Sequence, residues 1–140
     1  NTCEIGKCCF KDENPSHATC YRHQCYKTTE LVREALNLPS KKVMQSFQSR
    51  LGSDPWLKPY TDETLENFPK KGAKNIAVVA PAFVSDCLET LEELAMEGKE
   101  EFLKNGGESF TYIPCLNDSD EFVEILEKWC NEYQNNEETI

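Results

Sequence analysis

The residues most able to do chemistry lie in one short stretch, Phe83-Val84-Ser85-Asp86-Cys87-Leu88-Glu89, and in its continuation through Glu93 and Glu97. Glu89, Glu93 and Glu97 are spaced i, i+4, i+8, which stacks three carboxylates on one face of a helix. Carboxylates in such a row can accept protons from a reacting group and pass them on. The same residues have a plainer reading. Asp86-X-X-Glu89 is also a capping-box pattern, with Asp86 at the N-cap and Glu89 three residues on, and Glu93 and Glu97 then form a solvated face. A second candidate group sits at the other end of the chain. Five of the eight cysteines, Cys3, Cys8, Cys9, Cys20 and Cys25, fall in the first 25 residues. They supply a four-thiolate metal site with one thiol to spare. His17 and His23 lie among them as alternative zinc ligands, and without a clean CxxC pair the spacing does not choose the metal.

These groups need elements to position them. The chain has 140 residues, enough for one domain with a real core or a compact piece of a larger protein. Its net charge of −10, from 15 basic and 25 acidic residues, argues against a nucleic-acid partner and is compatible with a cation as ligand. No apolar run approaches the ~20 residues of a membrane span, and no signal-peptide pattern is present. The sequence opens at Asn1 inside a cysteine-rich stretch, which reads as a fragment lacking its N-terminal portion. Cysteines crowded at one end, with an ordinary α/β pattern after them, suggest an intracellular protein and not a disulfide scaffold.

Residues 1–26 read as an aperiodic loop held by its cysteines. An amphipathic helix is expected over 26–38, with Leu31, Val32, Ala35, Leu36 and Leu38 as its stripe. A short strand over 42–48 follows, then a Gly- and Pro-rich loop over 49–60 and a helix over 61–71 broken near Pro69. A buried strand over 75–80 leads through the Phe83–Glu89 turn into a long helix over 85–105, stopped by Gly106-Gly107. A third strand over 110–114 and a helix over 118–133 complete the pattern, and the last seven residues are frayed. This α-β-α-β-α-β-α order implies a parallel sheet with right-handed crossovers. The least ordinary stretches then fall at the carboxyl ends of the strands, where open α/β sheets bind ligands. The organisation expected is a cysteine-rich metal or cluster loop (1–26), an α/β lobe (27–135) and a disordered tail (136–140).

Several motifs in register carry a resemblance. Gln48-Ser49-Arg50-Leu51-Gly52, Pro55-Trp56-Leu57, Pro59-Tyr60-Thr61-Asp62, Lys74-Asn75 and Phe83-Val84-Ser85-Asp86 with Leu88-Glu89-Thr90-Leu91-Glu92-Glu93 resemble, in order and spacing, the C-terminal half of ferrochelatases. The resemblance runs from about Tyr26 to Trp129. It implies a three-layer, Rossmann-like chelatase lobe, a parallel sheet with flanking helices, as one half of a two-lobed fold with porphyrin between the lobes. It implies insertion of ferrous iron into a porphyrin, with Glu89 as the active-site glutamate, Asp86 and Glu93 as further catalytic carboxylates and Glu97 beyond them, along a helix that includes a π-helical turn. Trp56, Phe83, Arg50 and Cys87 fall on the substrate side. Cys87 stands where many of these enzymes have histidine, and a small buried cysteine is its plainer reading.

The family's catalytic histidine belongs to a motif resembling Ser-X-His-Gly-X-Pro. Neither His17 nor His23 matches it, so the motif is expected upstream of Asn1, and this fragment alone is expected to be inactive. For Cys3, Cys8, Cys9, Cys20 and Cys25 the resemblance favours a [2Fe–2S] cluster over zinc or free thiols. Other readings kept open are a non-catalytic Fe–S or zinc module and a chelatase for another metal or tetrapyrrole. The expected partners are a porphyrin and the missing N-terminal lobe, without nucleic acid. The expected location is the cytoplasm, with peripheral contact at the inner membrane as the alternative.

Overall fold

The computed structural model describes residues 14–49 and 52–137, with side chains as far as residue 135. The chain divides into two units, Asn1–Asn67 and Phe68–Ile140.

In the first unit a 3-10 turn, Pro15–Ala18, is capped by Asn14, whose Oδ1 accepts from the Ser16 N–H at 2.9 Å. Helix α1 follows over Tyr21–Ala35. It begins five residues before the expected start, so the aperiodic loop expected over 1–26 is corrected at its C-terminal end. The reason is local. The Arg22 guanidinium stacks over the Tyr26 ring at 4.8 Å and its Nη2 donates to the Tyr26 hydroxyl at 3.3 Å, an i, i+4 pair that favours helix without adding an apolar period. Asn37, at φ 52°, takes the left-handed position after the helix, and the Leu38 N–H reaches back to the Arg33 carbonyl. Leu31, Val32, Leu36 and Leu38 on the expected stripe are exposed.

The strand expected over 42–48 does not form. A 3-10 turn, Ser40–Lys42, leads into extended backbone that makes a single parallel bridge, Phe47 with Tyr60. Phe47 donates to the Pro59 carbonyl (2.9 Å) and accepts from the Thr61 N–H (3.0 Å). Proline has no N–H to continue a ladder, so pairing stops there. Phe47 itself is buried, with Tyr26 edge-on at 6.1 Å. Helix α2, Thr61–Asn67, buries Thr64 and Leu65.

The second unit opens with a 3-10 turn, Pro69–Lys71, ended by Gly72 at φ 90°, which agrees with the expected break near Pro69. Strands β1, Asn75–Val79, and β2, Ser109–Ile113, pair in parallel, with Ile76 opposite Phe110 and Val78 opposite Tyr112. The expected parallel α/β arrangement is present, as a two-stranded sheet among the described residues and not a three-stranded one. Strand β1 was expected to be buried on both faces. Instead Asn75, Ala77 and Val79 are exposed and Ile76 and Val78 half-buried, as in a strand covered on one face only.

The crossover between the strands is three helical segments in series. Helix α3 is Leu88–Leu91, a π-helical turn spans Glu93–Gly98, and helix α4 is Lys99–Lys104. The π turn is marked by the Glu97 N–H, which donates to the Glu92 carbonyl five residues back at 2.9 Å. The helix therefore starts three residues later than the sequence suggested and contains the wide turn that the resemblance implied. Gly106 and Gly107 end it. Gly106 sits at φ 95°, and a Cβ on Gly107 would lie 2.2 Å from the Phe102 ring. Phe102, Leu94 and Phe110 form the core, with the two phenylalanine rings 5.9 Å apart. Helix α5, Asp120–Glu137, follows β2. Among the described residues no helix is long and apolar enough to cross a membrane.

Candidate functional site

The carboxyl ends of β1 and β2 lead into two loops that meet at Asp86. Its Oδ1 accepts from the Tyr112 hydroxyl (2.7 Å), from Thr90 Oγ1 (2.9 Å) and, more distantly, from the Cys115 N–H (3.5 Å). Its Oδ2 accepts from Asn117 Nδ2 at 2.8 Å, and the Asp86 N–H donates to Asn117 Oδ1 at 2.8 Å, a reciprocal pair. The Asn117 N–H also donates to the Val84 carbonyl at 2.9 Å. Asn117 adopts φ 51°, a conformation that asparagine tolerates better than most residues. The hydrogen bonds from Asn117, then Tyr112, hold the Asp86 carboxyl well below the usual carboxylate range. Burial, then donation to Asp86, pushes the Tyr112 phenol up, and burial pushes the Cys115 thiol up. At neutral pH the cluster is one carboxylate surrounded by protonated donors.

This arrangement decides between the two frames available at the start of α3. The N-cap is Cys87, not Asp86. Thr90, fully buried, accepts the Cys87 N–H on its Oγ1 at 2.9 Å and closes the cap three residues on. The capping box between Asp86 and Glu89, the plainer of the two readings, is not formed; Asn117 takes the Asp86 N–H.

Glu89 is thereby left one residue inside the helix start, half-buried. A hydrogen bond with the Cys87 thiol, then one with its own backbone N–H, holds its carboxyl below the ordinary glutamate value of 4.5. Glu89 is ionised at neutral pH and can accept a proton, with the Cys87 thiol beside it. Glu93 and Glu97 lie on the π turn and are exposed, and Phe83 is half-buried in the loop before Asp86.

In the first unit, the Trp56 indole N–H donates to the Gln48 carbonyl at 2.9 Å. That bond fixes the ring, which is 43% exposed, so a face remains available to a flat ligand. Arg50 lies outside the described residues, as do Cys3, Cys8 and Cys9. Cys20 and Cys25 are free and half-buried, Cys20 as the N-cap of α1 and Cys25 in its second turn, where it hydrogen-bonds the Tyr21 phenol. His17 and His23 stack face to face, with centroids 3.6 Å apart and planes within 3°. Their nitrogens point along parallel planes and do not converge on one ion. Among the described residues no three His, Cys, Asp or Glu side chains are grouped to hold a metal.

Sequence reasoning missed Thr90, Tyr112, Cys115 and Asn117. Nothing in the letters of the loop after β2 shows that Asn117 reaches back to Asp86.

The family model for ferrochelatase matches residues 9–134. The chain belongs to the ferrochelatase family. Among curated proteins, the chain is similar to the ferrochelatase of Opitutus terrae, at 52% identity over 124 residues, which is 89% of this chain and 36% of the relative. It is 53% identical to the ferrochelatase of Brucella ovis over 107 residues, 76% of this chain and 30% of that protein. With the ferrochelatase of Vibrio cholerae serotype O1 it shares 53% identity over 106 residues, 76% and 33% of the two chains. The chain thus spans about a third of the length of the ferrochelatases it matches.

Proposed function

We propose that this chain is the C-terminal lobe of an enzyme that inserts ferrous iron into a porphyrin, the final metallation of haem synthesis. The observation that carries this reading is Glu89, a half-buried, ionised carboxylate at the C-terminal edge of a parallel sheet in a chain of the ferrochelatase family. Two pyrrole protons must leave as the metal enters. Glu89 accepts them, the Cys87 thiol steadies the carboxylate, and Glu93 and Glu97 lead them outward. Trp56 and Phe83 are each assigned to contact with the macrocycle on the resemblance, and the indole N–H of Trp56 is already occupied by the Gln48 carbonyl. Arg50 is assigned to the substrate on the resemblance alone. Asp86, with both carboxylate oxygens taken by hydrogen bonds, supports the site and does not itself carry protons. The N-terminal lobe, with the histidine motif, completes the cleft.

For the cysteine segment we propose a [2Fe–2S] cluster held by thiolates from Cys3, Cys8, Cys9, Cys20 and Cys25, one of the five being spare. What supports this reading is the five cysteines in one short segment, Cys20 and Cys25 among them as free thiols, together with the family match. When bound, such a cluster supplies a covalent tie for the segment, and no step of metallation is assigned to it. Free thiols at Cys87, Cys115 and Cys130 fit a reducing, cytoplasmic location.

The test is anaerobic metallation of porphyrin by the full-length enzyme, followed by absorbance. Glu89→Gln should lower kcat by about 100-fold or more. Retention of a near wild-type rate would overturn the assignment. Visible absorption with matching iron and acid-labile sulfide supports the cluster, whereas a colourless protein with stoichiometric zinc refutes it.

A further inference from the structure

Asn117 stands out because it has no role in proton transfer, yet it holds the reaction carboxylate's frame from another element. It lies four residues beyond β2, and its side chain and backbone together tie three points of the loop that presents Glu89. Its amide donates to Asp86 Oδ2 and accepts from the Asp86 N–H, both at 2.8 Å, while its own N–H holds Val84 at 2.9 Å. Tyr112, on β2, adds its hydroxyl to Asp86 Oδ1 at 2.7 Å. The alternative frame, in which Asp86 caps the helix and Glu89 folds back on it, needs the same Asp86 N–H that Asn117 occupies. The structure shows the frame one residue later, with Cys87 as the cap and the Asp86 N–H held by Asn117.

We infer that Asn117, backed by Tyr112, is a positioning residue that sets the frame of α3 by clamping Asp86, so that Cys87 becomes the cap and Glu89 is placed one residue inside the helix start. The inference rests on the proposed metallation role of Glu89, but the clamp has a reporter of its own. Cys87 and Cys115 sit on the clamped loops, half-buried, whereas Cys130 lies exposed on α5.

The experiment uses the full-length enzyme with Asn117→Ala, the exchange Asp86→Asn/Asn117→Asp, and Glu89→Gln. In the exchange, the amide at position 86 donates to the carboxylate at 117, which still accepts the backbone N–H of residue 86. Asn117→Ala should lower kcat by about tenfold or more while the porphyrin KM moves less than about threefold. Site-resolved alkylation should show Cys87 and Cys115 modified several-fold faster, with Cys130 unchanged as the internal reference. The exchange should recover most of both losses. The inference is overturned if Asn117→Ala leaves kcat and both thiol rates within about twofold of wild type. It is also overturned if the exchange is no better than Asn117→Ala. If Glu89→Gln stays active while Asn117→Ala accelerates the two thiols and the exchange restores them, the clamp stands and the assignment of Glu89 fails.

Discussion

Thr90 gives the sharpest test of how the site is built. It is fully buried, and its one hydroxyl does two jobs: it accepts the Cys87 N–H at 2.9 Å, and it donates to Asp86 Oδ1 at 2.9 Å, with the Cys87 carbonyl at 3.1 Å as a second acceptor. Thr90→Val keeps shape and volume but removes both roles. Loss of the donated bond costs about 1 kcal/mol, and leaving the Cys87 N–H without its partner adds about 1–2 kcal/mol, so a destabilisation of about 2–3 kcal/mol is expected. Thr90→Ser keeps the hydroxyl and loses one buried methyl, which costs about 1 kcal/mol. Equilibrium denaturant unfolding, with the slope checked for constancy, measures both. The order matters more than the sizes: valine, the better match in bulk, should be the worse substitution. If Thr90→Val proves as stable as wild type, or more stable than Thr90→Ser, the buried hydroxyl does not hold the start of α3 and the account of the cap is wrong.

Three further outcomes follow from geometry already described. Gly107→Ala places a Cβ 2.2 Å from the Phe102 ring, so it should destabilise by about 1–3 kcal/mol in the same unfolding assay, and a neutral result would contradict that close approach. Cys87→Ala removes the main hydrogen bond that holds Glu89 below 4.5. Because the ionised form is the one that accepts protons, activity falls as pH drops through the Glu89 value, and the acid limb of the kcat/KM profile should move to higher pH in this variant; an unmoved limb would separate Cys87 from Glu89. Trp56→Phe keeps an aromatic face but loses the bond to the Gln48 carbonyl, whereas Trp56→Leu loses both. Porphyrin KM should rise modestly in the first and more in the second, and equal effects would show that the ring face contributes nothing.

Much of the second unit was legible because its signals are local and periodic. The apolar run at 75–80 and Phe110-Thr111-Tyr112-Ile113 became β1 and β2, and Gly106-Gly107 stopped the crossover helix. The first unit was less legible. The apolar letters Val43, Met44 and Phe47 resemble a strand, but their pairing partner contains Pro59, and whether a strand finds a competent ladder is not written in its own residues. The start of α1 was missed for the opposite reason, since Arg22 and Tyr26 stabilise a turn without an apolar stripe. At the site, Glu89 and Asp86 could be singled out, but the frame could not. Asp86-X-X-Glu89 and Cys87-X-X-Thr90 are both acceptable caps by spacing, and the choice is made by Asn117, 31 residues from Asp86.

The wide turn at Glu93–Gly98 has a rotational consequence. In an α-helix, side chains four residues apart swing about 40° past alignment, so three acids at that spacing would fan out by about 80°. A π-helical turn holds about 4.4 residues, and within it the same step falls short by about 33°. The first interval, Glu89 to Glu93, is close to the former case and the second, Glu93 to Glu97, to the latter. The two errors nearly cancel, so this geometry returns position 97 to about the azimuth of position 89, with position 93 about 40° to one side. One surplus residue in the coil thus keeps the three acids within about 40° of one another, where an unbroken α-helix would spread them over about 80°.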